Sequence, residues 1–159
     1  MKKTKYFSLF IVGIALMSCG NGDRQGADTP LAASVAPKQL VIPANKNLCF
    51  QQVSGSRNED TLTVKLHFQG DQVTGTMTQK PYEKDARTGV LSGLLLQPDI
   101  KANWIFMQEG MKDSIELDFR LGDDALWQRP LNYNANTGKE QTDTSAGFTQ
   151  KIPLVDCSA

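Results

Sequence analysis

Histidine is the scarcest chemistry-bearing residue of this chain: His67 stands alone among 159 residues. One imidazole excludes a histidine cluster for zinc or copper and leaves no second base for acid–base work. It falls on the polar side of an alternating run, beside Lys65, where a strand presents it to solvent. No serine sits in a G-x-S-x-G context, since Ser54-Gly55-Ser56 and Ser92-Gly93 both lack it. Calcium-loop spacing and glycine-rich phosphate loops are missing too. No metal and no cofactor is therefore expected. Long apolar runs are also absent. The longest, residues 6–17, has about 12 residues, where a spanning helix needs roughly 20, so no transmembrane helix is expected. Basic and acidic residues balance at 17 each. Without a basic excess, nucleic acid is not an expected partner.

What is present begins at the N-terminus. Met1-Lys2-Lys3-Thr4-Lys5 is basic, the short apolar run follows, and Leu16-Met17-Ser18-Cys19 closes it. A basic start, a short apolar core and a small residue before the cut describe a secretory signal peptide over residues 1–18. The cysteine at the cut resembles the lipobox of bacterial lipoproteins, which implies acylation of Cys19. Several acyl chains, at roughly 0.8 kcal/mol per buried methylene, would hold such a protein on a membrane almost irreversibly. Cleavage removes Lys2, Lys3 and Lys5, leaving 14 basic against 17 acidic residues and a mildly acidic chain.

Lipidation of Cys19 leaves Cys49 and Cys157. In an oxidising compartment such a pair reads as a disulfide closing about 108 residues, for which the loop-entropy model gives roughly 4–5 kcal/mol at most. Two free thiols binding metal are the alternative, with no histidine near either. Residues 19–45 read as a flexible tether. Gly20-Asn21-Gly22-Asp23, Gly26-Ala27-Asp28-Thr29-Pro30 and Ala36-Pro37-Lys38 are small, polar and proline-punctuated. Gln39-Leu40-Val41-Ile42-Pro43 is an apolar interruption that Pro43 limits to an edge or turn.

From Lys46 to the end the period is two. Leu62, Val64, Leu66 and Phe68 alternate with polar residues, as do Ala102, Trp104 and Phe106, then Ile115, Leu117, Phe119 and Leu121. Gly70-Asp71, Pro98-Asp99, Glu109-Gly110 and Gly122-Asp123-Asp124 read as turns. Residues 90–96 are apolar nearly throughout, which predicts burial on both faces or strong curvature, with Gly89 and Gly93 allowing a bend or bulge. Residues 132–145 read as a long exposed loop, and a last strand over residues 148–155 is broken by Pro153. The expected fold of residues 46–159 is all-β: a small antiparallel meander barrel or sandwich of seven or eight strands. The aligned alternation places Leu62, Val64, Leu66, Phe68, Trp104, Phe106, Ile115, Leu117 and Phe119 in one core.

Carboxylate pairs occur at Asp123-Asp124, which turn propensity explains, and at Glu116 and Asp118 on an outward strand face. The stretch Tyr82-Glu83-Lys84-Asp85-Ala86-Arg87 is less usual, with charges of alternating sign behind an aromatic. Val73-Thr74-Gly75-Thr76, Glu83-Lys84-Asp85 with Gly89, and Phe106-Met107-Gln108-Glu109-Gly110, framed by Cys49 and Cys157, resemble a group of small lipoproteins of the Gram-negative envelope. That resemblance covers about half of the chain. It implies an envelope location and a β-rich domain, and it brings no activity.

These observations lead to the expectation of a lipid-anchored, non-enzymatic envelope lipoprotein, on the outer membrane, that binds a partner protein or small ligand or has a structural role. The expected binding rim is Tyr82, Glu83, Lys84, Asp85, Arg87 and Glu109 at one end of the barrel, where ion pairing within the rim is the plainer use of the same charges. Two narrower readings share the shape. One is a lysozyme-inhibitor-like binding protein, although no Ser-Gly-x-x-Tyr loop is evident. The other is a lipocalin-like carrier, with Trp104, Phe106, Phe119 and Trp127 lining a cavity or filling a core.

Overall fold

A computed structural model describes residues 45–158. The expected signal peptide, Cys19 and the expected tether up to residue 44 lie outside the described residues. Eight strands close into an antiparallel barrel: β1 (Lys46–Ser54), β2 (Asp60–Gln69), β3 (Gln72–Lys80), β4 (Arg87–Leu96), β5 (Asp99–Gln108), β6 (Met111–Leu121), β7 (Ala125–Gln128) and, after an excursion, β10 (Gln150–Val155). The excursion carries a separate two-stranded hairpin, β8 (Leu131–Asn134) and β9 (Lys139–Thr142). The neighbours are sequential around the barrel, and β10 returns between β7 and β1.

Period-two alternation drives this closure, because each strand has one face that must leave water. All nine residues expected in a common core are buried together, joined by Phe50, Val73, Met77, Leu91, Leu95, Ile100, Leu126 and Ile152. The barrel interior is filled by these side chains. Turn chemistry sets the registers. Gln69 pairs with Gln72 around Gly70, at φ 60°, and Gln108 pairs with Met111 around Glu109 and Gly110, at φ 51° and 76°. Two successive positive values are those of the primed turn that matches strand twist.

Four readings of the sequence need correction, the last of them at Pro153. First, residues 90–96 are not buried on both faces: Leu91 and Leu95 point inward, while Val90, Leu94 and Leu96 are 55%, 52% and 56% exposed. Alternation holds there too, and glycine hides it by supplying the other inward positions. Gly89 and Gly93 make no bulge, since pairing to β5 runs unbroken through both. They let the neighbouring backbone approach. Second, residues 132–145 contain β8 and β9, four-residue strands too short and too polar to show a period. Third, the β4–β5 turn is Gln97-Pro98, and Asp99 already pairs with Leu96.

Pro153 does not break β10. It lies just past the point where the β1–β10 ladder stops, at Phe50 and Leu154, so its missing N–H interrupts nothing on that side. Phe148 falls before the strand, held between the guanidinium groups of Arg120 and Arg129 at 4.3 and 4.4 Å.

Candidate functional site

The β1–β2 and β3–β4 loops, the β5–β6 turn and the β8–β9 excursion gather at one end of the barrel. Lys46 and the C-terminal end of β10 lie at the other, since Lys46 pairs with Phe68 beside the β2–β3 turn. Inward-facing positions change character toward the loop end. Apolar residues give way to Gln52, Asp60, Gln79 and Arg87, then Gln108 and Gln150, each continuing the inward parity of its strand. Gln150 Nε2 donates to Gln52 Oε1 at 3.0 Å across the seam. A polar mouth thus stands on an apolar floor.

Arg87 is the hub of this mouth. Its Nε donates to Gln108 Oε1 at 2.6 Å, its NH1 pairs with Glu140 Oε2 of the hairpin, and its guanidinium lies 5.3 Å from the Phe106 ring centre. Lys139 repeats the link one residue earlier, reaching Asp113 Oδ1 at 2.9 Å. Two ion pairs and the Thr142 hydroxyl, which donates to the Glu116 carbonyl at 2.6 Å, therefore fasten the hairpin beside β6.

The rim residues do not form one constellation. Lys84, Asp85 and Arg87 share a small cleft of about 190 Å³ with Gln79, Gln108 and Glu140. Arg87 and Glu109 also border a groove of about 550 Å³ between the β5–β6 turn and the hairpin. Tyr82 belongs elsewhere: Asp60 Oδ1 accepts its backbone N–H at 2.6 Å, and Arg57 donates to its hydroxyl at 3.2 Å. With Lys84 it borders a third cleft of about 490 Å³. Glu83, at φ 54°, makes no hydrogen bond or ion pair among the described residues.

Asp85 and Glu109 are a like-charge pair, contrary to a rim held only by ion pairs. The Asp85 side chain hydrogen-bonds Glu109 and repels its negative form, which raises the Glu109 carboxyl above the ordinary value. Because that folded value is raised, protonation of Glu109 favours the fold as pH falls through it, and the charged pair opposes the fold above it. Asp113 has the opposite sign. Its hydrogen bond to Lys139, then that from the Ser114 N–H, lower its value, so its contribution is present above the ordinary carboxylate range and lost as pH falls through the lowered value. Asp85→Asn is expected to return Glu109 to the ordinary range in a carboxyl NMR titration. An unchanged Glu109 midpoint would show that Asp85 is not the cause.

The other carboxylate pairs are occupied. Asp118 meets Lys101 at 2.9 Å and Arg129 at 3.4 Å, and Asp124 meets Lys151 at 2.7 Å. His67 bonds Asn47 Oδ1 at 2.7 Å on the outer face. The inward glutamines were missed in the sequence, though each stands two residues from a core side chain on its own strand: Gln79 after Met77, Gln108 after Phe106, Gln52 after Phe50. Glu140 and Lys139 carried no such signal.

No protein-family model, curated protein or solved structure matches this chain. The class that the geometry defines is a small filled β-barrel with a polar mouth and open clefts at one end.

Proposed function

We propose that this protein is a lipid-anchored envelope lipoprotein, held on the outer membrane through acylated Cys19, whose barrel binds a partner protein or small ligand without catalysis. One observation carries the binding reading: inward polar side chains and three surface clefts converge at a single end above a filled apolar interior. The filled interior favours recognition at the surface over cargo enclosed within. Loops on a rigid scaffold are the usual place for recognition residues. The lipobox resemblance at Cys19 and the exported-protein pattern before it support the anchoring.

The test uses the full chain in its own membrane. Cys19→Ser is expected to abolish the lipid-modified N-terminal peptide in mass spectrometry and to move the protein to the soluble fraction. A photo-crosslinking residue at Lys84 is expected to give a discrete adduct, and one at Thr74, on the outer face toward the opposite end, none. Equal labelling from both positions would remove the site, and a measured hydrolytic turnover would remove the non-enzyme reading.

A further inference from the structure

β6 is paired to β5 over residues 111–120, yet to β7 only over residues 119–121. Among the described residues, 111–118 therefore have no strand partner on their second side. The main-chain groups on that side belong to alternate residues, as the bond from Arg129 N–H to the Asp118 carbonyl at 3.1 Å establishes. By the same parity the groups of Lys112, Ser114 and Glu116 face outward along the edge. The Glu116 carbonyl is taken by Thr142, and the Ser114 N–H by the carboxylate of its own neighbour, Asp113, at 2.8 Å. Lys112 and Ser114 are exposed, and the Ile115 side chain between these edge groups is buried.

We infer that this edge is a strand-addition site for a short extended segment of a partner polypeptide. The inference rests on the binding reading above and names the class of partner. Three observations fix the occupant. Main-chain donors and acceptors at alternate residues are complementary to another extended backbone. The groove beside the edge, about 550 Å³ near the turn and about 380 Å³ farther along, has Phe106 and Ile115 among its lining residues, with Met111 and Tyr133, 70% and 69% exposed, on its lips. These suit the alternating apolar side chains of a strand. The hairpin stands alongside, pinned at Thr142 and bridged to Asp113 by Lys139 at 2.9 Å, so residues 111–115 form a slot about 17 Å long that an incoming strand enters by parting that one surface ion pair. A lone strand fits such a slot. The edge of a second barrel, carrying its own sheet, meets the hairpin first. Asp113 guards the edge in the meantime, capping Ser114 as charged residues do on exposed edges. Cationic and anionic side chains are mixed along the groove, so the main chain and apolar contacts set the affinity.

The test selects linear 12-residue peptides from a displayed random library on the full-length protein and resynthesises the best binder. Binding is expected to slow hydrogen exchange at the Lys112, Ser114 and Glu116 amides. Ser114→Pro removes an edge N–H while leaving the β5 ladder intact, and is expected to weaken binding more than tenfold with the melting temperature preserved. Ser114→Ala keeps the N–H and the affinity. Methylating alternate backbone nitrogens of the peptide is expected to cause the same loss, an arm independent of how Ser114→Pro folds. Binding indifferent to peptide methylation overturns the inference, as does the absence of protection on β6. Affinity lost on joint replacement of Glu83, Lys84, Asp85 and Glu109 by alanine, with both edge arms silent, overturns the strand-addition site while leaving a rim-binding module. A concentration-dependent dimer of the free protein, abolished by Ser114→Pro, would assign the edge to a second copy instead.

Discussion

Gly89→Ala is expected to be among the most destabilising single changes in the barrel, although it adds one methyl group. A β-carbon there would lie 2.0 Å from the Ile105 carbonyl oxygen and 2.5 Å from the Phe106 α-carbon. Both obstacles are backbone of the adjacent strand, so no rotamer change relieves them. Separating β4 from β5 breaks a ladder of nine register pairs and opens the layer holding Trp104 and Phe106, whose rings lie 4.3 Å apart. The cost belongs with overpacking and backbone strain together, about 4 kcal/mol or more. That is a large share of the roughly 5–15 kcal/mol that hold a domain together. Gly147→Ala serves as the control, because a β-carbon there meets nothing within 4 Å. It should change stability by less than about 0.5 kcal/mol. Urea unfolding followed by far-ultraviolet circular dichroism distinguishes the two, and a Gly89→Ala midpoint close to that of Gly147→Ala would refute the close-approach argument.

Removing the Cys49–Cys157 bridge is the second large effect expected. The bridge is formed, with α-carbons 5.1 Å apart across a sequence separation of 108. Its position matters as much as its loop. The β1–β10 ladder has only two register pairs, Cys49 with Val155 and Phe50 with Leu154, and Cys157 lies two residues beyond Val155. The covalent bond thus fastens the shortest ladder of the barrel, where the first strand meets the last. Paired alanine substitution at both cysteines should cost about 2–5 kcal/mol and lower the melting temperature by roughly 10 °C or more. Hydrogen exchange should rise first at Ile152 and Val155 and spread into β7. Uniform acceleration across β3 and β4 instead would mean that the bridge acts only on the unfolded chain.

The fold was legible where the physics is local. Strands β2, β5 and β6 alternate cleanly, and positive-φ turns at Gly70 and Glu109-Gly110 advertise their hairpins through residue type and spacing. Glycine obscured β4, because an inward position without a side chain leaves only the outward Val90, Leu94 and Leu96 to be read. The β8–β9 hairpin was invisible because neither face is buried in a period. The rim was legible as a place, from loops shared by one end of the barrel, but not as a set of contacts. Asp85 with Glu109, and Arg87 with Glu140, join residues 24 and 53 positions apart, and only closure of the barrel decides such meetings. The open edge of β6 is less local still. It exists because β7 ends at Gln128, after pairing with residues 119–121 of β6 and leaving the eight residues 111–118 without a strand beside them among the described residues, and no sequence motif records that.

The chain enters the barrel at the pole opposite the clefts. β1 begins beside the β2–β3 turn and climbs nine residues, about 30 Å, before reaching the β1–β2 loop. A solid support joined directly at Lys46 therefore faces the pole opposite the clefts. Coupling the barrel to such a support at Lys46 is the geometry in which its clefts stand clear.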